Sequence, residues 1–177
     1  PAIGVRLRQR IKKPMILIAL GANLPSPAGT PTATLSSALG RLKACGITLL
    51  SVSSFYQTPA WPDPSQPPYV NAVAQVATRL QPGELLALLH DVEAEFGRVR
   101  GMANASRTLD LDLLDYDGRI MASDVTLPHP RMAERSFVLV PLAEIAPAFV
   151  HPVTGASVSS LLAATPDKKR VLIYRPR

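Results

Sequence analysis

Apolar and polar positions change period several times along the 177-residue chain. Met15-Ile-Leu-Ile-Ala-Leu20 is a short unbroken apolar run that stops at Gly21-Ala-Asn23, which predicts a buried strand. Thr30-Pro31 then supplies a helix cap with proline at the first helical position. Leu35, Ala38, Leu39 and Leu42 follow at helical spacing, and Gly46 offers the stop. Residues 47–58 are rich in strand formers. Residues 59–68 hold five prolines and form a loop with a restricted backbone. Strand character returns over 69–80, where Val70, Ala72, Ala74, Val76 and Thr78 alternate with Asn71, Val73, Gln75 and Ala77. Pro82 opens a second helix with Leu85, Leu89, Val92 and Phe96 on one stripe, ending at Gly97. Residues 98–107 are polar. Thr108-Leu-Asp-Leu-Asp-Leu-Leu114 alternates strictly, and Asp117-Gly118 turns the chain. Residues 132–147 and 157–164 read as helical in part, and Arg170–Tyr174 as a last edge strand.

Strand, helix, strand, strand, helix, strand is the order of the ferredoxin-like split βαβ arrangement. The expected fold is therefore α+β: a ferredoxin-like (βαββαβ) antiparallel sheet with helices on one face and an appended C-terminal region. The other face is left for ligands or extra segments. No internal repeat or linker divides residues 15–177, which are expected to form one domain.

The alternation at 108–114 also locates chemistry. Leu109, Leu111 and Leu113 point one way, Asp110 and Asp112 the other. Two carboxylates on one face repel unless a cation or proton lies between them. Magnesium favours such a pair together with phosphate oxygens and water. A solvated acidic face is the competing reading. Arg98 and Arg100 follow the second helix directly, and Arg107 lies three residues before Asp110. Guanidinium forks suit phosphates, so carboxylates and arginines together suit phosphoryl transfer, while a surface ion-pair cluster is the alternative. Pro128-His129-Pro130-Arg131, with Arg135 nearby, is either a ligand-binding turn or an exposed polar one. Tyr69, Asn71 and Phe137 could enclose a planar ring or simply serve the core. Gly21-Ala-Asn23 lacks the spacing of a phosphate loop.

Charge and composition narrow the partners. The net charge of +6 invites a nucleic-acid reading. Residues 1–14, however, carry five basic side chains and no acid, and without them 14 basic residues face 13 acidic ones. The body is close to neutral, and the basic extension is expected to be disordered. The 18 prolines are twice the usual ~5% and belong in shaped loops. Cys45, the single cysteine, has no disulfide partner and reads as a small buried apolar residue. No apolar run approaches the ~18 residues of a membrane span. A cytoplasmic, monomeric protein without nucleic-acid or membrane partners is expected.

Seven segments together resemble the 6-hydroxymethyl-7,8-dihydropterin pyrophosphokinases of the folate pathway. They are Ala19-Leu-Gly-Ala-Asn-Leu24, Ser53-Ser-Phe-Tyr-Gln-Thr-Pro59, Gln66-Pro-Pro-Tyr-Val-Asn-Ala72, Gly97-Arg-Val-Arg100, Arg107-Thr-Leu-Asp-Leu-Asp-Leu-Leu114, Leu127-Pro-His-Pro130 and Arg135-Ser-Phe-Val-Leu-Val-Pro-Leu142. The resemblance covers roughly residues 15–147 and implies transfer of pyrophosphate from ATP to the pterin hydroxymethyl group, giving AMP. By it, Asp110 and Asp112 would hold two Mg2+ ions, and Arg98 and Arg107 would clamp phosphates. Arg100, Thr126, His129 and Arg135 would help hold ATP, with Leu113 beside the adenine. Tyr69 and Phe137 would enclose the pterin, while Asn71 and the backbone of Thr58 to Ala60 would read its amide edge. Loops 59–68 and 98–107 would be the moving lids. Ala103-Asn-Ala-Ser106 departs from the Trp-Gly-Pro that many relatives carry there. Two rivals remain: an RNA-binding module on the same topology, for which no Lys/Arg-Gly-Phe/Tyr motif is present, and a family member that binds without turnover.

Overall fold

The computed structural model describes residues 15–98 and 107–175. Its centre is β1 (Ile16–Ala22), flanked antiparallel by β4 (Tyr69–Ala77) and β5 (Asp110–Tyr116). Every residue of β1 is buried because both faces are covered. Ile16, Ile18, Leu20 and Ala22 enter a core beneath α1 (Pro31–Ala44) and α2 (Pro82–Glu95), and Leu17 and Ala19 enter a second core on the opposite face. Two buried faces explain the unbroken apolar run. The strand continues two residues beyond its expected end, with Gly21 opposite Asn71 and Ala22 opposite Val70. A Cβ at Gly21 would stand 3.2 Å from Asn71 Oδ1, so glycine lets these strands close around that side chain.

Both predicted helices form as their stripes require. Thr30 Oγ1 accepts a hydrogen bond from Ala33 N at 3.3 Å at the start of α1, and Leu35, Ala38 and Leu42 are buried. In α2, Gln81 N donates to Glu84 Oε2 at 2.7 Å, and Leu85, Leu89 and Val92 are buried. Gly97 follows α2 with φ of 81°, a conformation that favours glycine. Cys45 differs from its expected role. It is only half-buried, and its Sγ lies 2.9 Å from Arg41 Nη1.

The strand expected over 47–58 is instead two, β2 (Thr48–Val52) and β3 (Tyr56–Thr58), both antiparallel to β4. Ser53 breaks the ladder. Its N–H donates to Val73 O at 2.9 Å, but its hydroxyl rather than its carbonyl accepts from Val73 N, at 3.0 Å. A side chain has replaced a backbone acceptor, and no periodicity signals such a substitution. Strand β4 also stops at Ala77 instead of continuing to residue 80, because Leu80 N turns back to Thr78 Oγ1 at 3.2 Å.

In β5, Leu111 and Leu113 join the core beneath α1 and α2, along with Leu109 just before the strand. An irregularity in the pairing sets Leu17 opposite Asp115 and Ile18 opposite Leu113. That extra residue leaves Leu114 in the second core and returns Tyr116 to the first. A hairpin of β6 (Met121–Ala122) and β7 (Thr126–Leu127) follows, then a 3-10 turn, Met132–Glu134.

The regions expected to be partly helical form α3 (Ser136–Ile145) and α4 (Val158–Ala164). They cover the sheet face opposite α1 and α2: Val138, Leu139 and Leu142 pack with Leu17, Val73 and Leu114. The chain then makes a second 3-10 turn, Lys168–Arg170, and adds β8 (Leu172–Ile173) antiparallel to β3. The edge strand expected over 170–174 is thus shortened to two residues. The sheet order is β5-β1-β4-β3-β8, with β2 also beside β4.

Candidate active site

Strand alternation and the start of α3 together build one cavity. Asp110 and Asp112 stand on the α3 side of β5, and Tyr69 and Asn71 stand near the start of β4. Phe137 and Arg135 project from the first turn of α3 and the residue capping it. The cavity has a volume of about 530 Å3. Nine of the fourteen residues singled out from the sequence line it: Thr58, Ala60, Tyr69, Asn71, Arg107, Asp110, Asp112, Arg135 and Phe137.

The carboxylates differ in their surroundings. Asp110 Oδ1 accepts from Arg98 Nη1 at 2.6 Å, and its Oδ2 accepts from Arg107 Nη1 at 2.6 Å. Asp112 has weaker company, with Arg135 Nη1 at 3.5 Å and His129 Nε2 at 3.9 Å from its Oδ2. Burial, and then the neighbouring Asp110, push the Asp112 carboxyl above the usual carboxylate range. Burial holds His129 below the usual histidine range, so its imidazole is neutral near pH 7. Its Nδ1 accepts from Arg131 N at 3.2 Å, and its backbone N–H donates to Leu114 O at 2.8 Å, which ties the Pro128–Arg131 turn to β5.

The donor set suits a hard divalent cation. Two carboxylates share a face, and the partly buried one is destabilised by the other, a condition that a cation relieves. Among the described residues no three His, Cys, Asp or Glu side chains gather into a metal cage. A cation held here would complete its shell with phosphate oxygens and water, which is the habit of Mg2+.

The far end of the cavity is apolar with an amide set into it. Asn71 Nδ2 donates to Thr58 Oγ1 at 2.9 Å, and both side chains are buried. This fixes the Asn71 amide and leaves its oxygen facing Gly21. The Arg135 guanidinium lies 5.4 Å from the centre of the Phe137 ring, a cation–π contact that orients both. Burial raises the Tyr69 phenol above its ordinary range.

Two residues that the sequence reading passed over hold the site together. Glu93 lies on the buried stripe of α2, four residues after Leu89, and is 1% exposed. Its Oε1 accepts from Leu111 N at 2.7 Å and also from Arg98. Burial pushes its carboxyl up to about 7. An acid on an apolar helical stripe was the available signal. Asn23 Oδ1 accepts from Arg107 N at 2.8 Å, and its Nδ2 donates to Pro67 O at 3.1 Å, so one side chain joins the ends of two loops. Sequence spacing carried no sign of this.

Other expected residues lie apart from the cavity or outside the described chain. The Leu113 side chain is buried in the α1/α2 core, on the face away from the carboxylates. Thr126 is exposed on β7. His129 reaches the site only through Asp112. Arg100 and most of the 98–107 lid lie outside the described residues.

Comparison with known proteins follows the same lines. Residues 17–147 match the profile of the family described as 7,8-dihydro-6-hydroxymethylpterin-pyrophosphokinase (HPPK). A Haemophilus influenzae protein named 2-amino-4-hydroxy-6-hydroxymethyldihydropteridine pyrophosphokinase is 41% identical over 87% of this chain and 94% of its own length. A Synechocystis protein of the same name is 40% identical over 82% of this chain and 73% of its own. A folic acid synthesis protein of Pneumocystis carinii is 37% identical over 88% of this chain, which spans only 21% of that longer protein. In fold, the chain resembles the Plasmodium falciparum HPPK-DHPS crystal structure with a TM-score of 0.65 at 13% identity, covering 88% of this chain and 42% of that one.

Proposed function

The chain belongs to the 7,8-dihydro-6-hydroxymethylpterin-pyrophosphokinase family, and from that premise we propose that it transfers pyrophosphate from ATP to the hydroxymethyl oxygen of 6-hydroxymethyl-7,8-dihydropterin, releasing AMP. The observation that carries this reading is the meeting, in one cavity, of the Asp110–Asp112 pair with the slot formed by Asn71, Tyr69 and Phe137. One end suits charged phosphates and the other a flat, amide-edged heterocycle.

Asp110 and Asp112 are the residues that would hold Mg2+. When bound, two such ions would neutralise phosphate charge and lower the pKa of the attacking hydroxyl. The chain's own contribution is placement and charge. Arg98 and Arg107 each reach Asp110 through one Nη1, which leaves other guanidinium donors for phosphate oxygens. Glu93 supports Arg98 from behind. Arg135 brings a further cation between Asp112 and Phe137. The Asn71 amide, held by Thr58, meets the amide edge of the pterin together with the Thr58–Ala60 backbone, and Phe137 and Tyr69 enclose the ring. Holding the two reactants in line supplies much of the rate in such transfers. Arg100, Thr126 and His129 belong to the nucleotide side of this reading. Leu113, whose side chain fills the core, would meet adenine through its main chain.

The strand order, with β1 between β4 and β5 and the β2/β3 line outside β4, supports a ferredoxin-like sheet. The segment carrying α4 and β8 is then an addition at the β3 edge. An RNA-binding module would need the sheet face that α3 covers, and the open part of that face carries two carboxylates. Both facts weigh against that rival. Among the described residues no helix is long and apolar enough to cross a membrane.

The test is direct. The protein is incubated with MgATP and the pterin alcohol, and AMP is measured. Release of AMP that depends on both substrates is expected; folded protein that yields no AMP and binds no pterin would overturn the reading.

A further inference from the structure

Three residues of the cavity wall lie beyond the segment 17–147 that matches the family: Asp167, Arg170 and Val171. Several contacts fix their position. In the β3–β8 pairing, Gln57 faces Leu172 and Tyr56 faces Ile173, so the next step along the antiparallel register brings Val171 beside Thr58. Tyr174 N donates to Phe55 O at 2.7 Å and extends that attachment. The 3-10 turn Lys168–Arg170 packs against α3, the helix that carries Phe137. Lys168 Nζ donates to Leu162 O at 3.2 Å and Ala163 O at 3.3 Å, which ties the turn to the end of α4. The C-terminal segment therefore reaches from the end of β3 to α3. Those two elements bear Thr58 and Phe137, both of which line the cavity.

The side chains in this wall divide by character. Val171 is buried, whereas Leu172 and Ile173 after it are exposed. Its apolar bulk faces the cavity. Asp167 and Arg170 are exposed at the mouth. Among the described residues the Arg170 guanidinium has no hydrogen-bond or ion-pair partner. Its donors are open to solvent beside a slot already fitted with an aromatic ring and a fixed amide.

We infer that residues 167–171 form the end wall of the heterocycle slot and select its occupant, Val171 by bulk and Arg170 by donating to an acceptor atom on the rim of a bound oxo-substituted fused heterocycle. The inference rests on the proposed pterin site and adds to it a selecting element outside the family-matched segment. Extra bulk at Val171 shortens the slot. Removal of Arg170 deletes a donor at its rim. Neither change touches the carboxylate end, so the two substrates respond differently.

The only tryptophan, Trp61, also lines the cavity and is 68% exposed, so its emission reports occupancy without turnover. Val171→Phe, Arg170→Ala and, as a control on the same turn, Lys169→Ala are compared with the unmodified protein. Each is titrated with the pterin alcohol in the presence of Mg2+ and a non-hydrolysable ATP analogue, and KM is measured for each substrate. Val171→Phe is expected to weaken pterin binding at least ~10-fold with KM for ATP within about twofold. Arg170→Ala is expected to weaken pterin binding roughly 3- to 10-fold. Lys169→Ala should match the unmodified protein. If Val171→Phe does not fold, Arg170→Ala, an exposed and structurally mild change, decides the matter alone. Pterin binding within twofold of the unmodified protein in the folded variants, or a parallel rise in KM for ATP, overturns the inference while leaving the pyrophosphokinase reading intact. Absence of pterin binding and turnover in the unmodified protein overturns both.

Discussion

Arg107 and Asp110 are three residues apart at the entry to β5, and Arg107 Nη1 lies 2.6 Å from Asp110 Oδ2. Arg98 takes the other carboxylate oxygen at the same distance. Asp110 is thus held from both sides, whereas Asp112 has only the 3.5 Å contact from Arg135 and the 3.9 Å approach of His129. One acid is clamped and its neighbour is under-compensated, which makes their surroundings unequal although both face the same cavity.

Loss of either carboxylate should end turnover. Asp110→Ala and Asp112→Ala are each expected to reduce AMP formation by about 10³-fold or more, on the scale of losing a key electrostatic group. Because Asp112 is held above its ordinary range, ionising it costs stability in the metal-free protein. Asp112→Asn should therefore melt at a higher temperature than the unmodified protein at pH 8 while being inactive. Thermal melts beside AMP assays check this, and unfolding of both alanine variants would favour a structural role for the pair.

Glu93 should leave a mark on the pH dependence of stability. Its carboxyl titrates near 7 in the folded protein against 4.5 for the ordinary group, so between these values the folded state binds a proton that the unfolded state has lost. Stability contributed by the protonated form is full below about pH 4.5 and declines as pH rises through about 7. The total approaches ~3 kcal/mol at ~1.4 kcal/mol per pH unit. Urea unfolding of Glu93→Gln from pH 4.5 to 8 should show a flatter profile than the unmodified protein. Superimposable profiles would mean that Arg98 keeps Glu93 ionised throughout.

Asn71→Ala is expected to act on the pterin alone among the substrates. It removes the amide and leaves Thr58 Oγ1 without its donor in a buried place. Stability should fall by about 1–2 kcal/mol. KM for the pterin should rise about 10-fold or more, with KM for ATP nearly unchanged. Steady-state kinetics with each substrate varied in turn make the comparison.

Asn23→Ala should loosen two loops at once. The side chain joins Arg107 N to Pro67 O. Hydrogen exchange at the Arg107 amide and at the Gln66 amide, which donates to Asp63 O within the other loop, should accelerate together, with a loss of about 1–2 kcal/mol. Faster exchange at only one of the two would refute the common staple.

Where the sequence was legible, one period governed one face. The stripe of Leu85, Leu89 and Val92 marked the buried side of α2, and the alternation at Leu109 to Leu113 placed Asp110 and Asp112 opposite the leucines. The same alternation already committed the Leu113 side chain to the core, although the family resemblance put that residue beside adenine. Ser53 escaped detection because a hydroxyl took over a backbone acceptor without disturbing the run of strand formers.

The order of residues alone determined the two α1/α2 stripes, the paired acids and the amide-bearing strand, since each follows from which neighbours share a face. Folding in three dimensions decided who meets them: Glu93 behind Arg98, Asn23 between two loops, α3 over the second face and the C-terminal turn at the end of the slot. These partners are dozens of positions apart in several cases, and periodicity records the direction of a side chain but not what the folded chain brings to it.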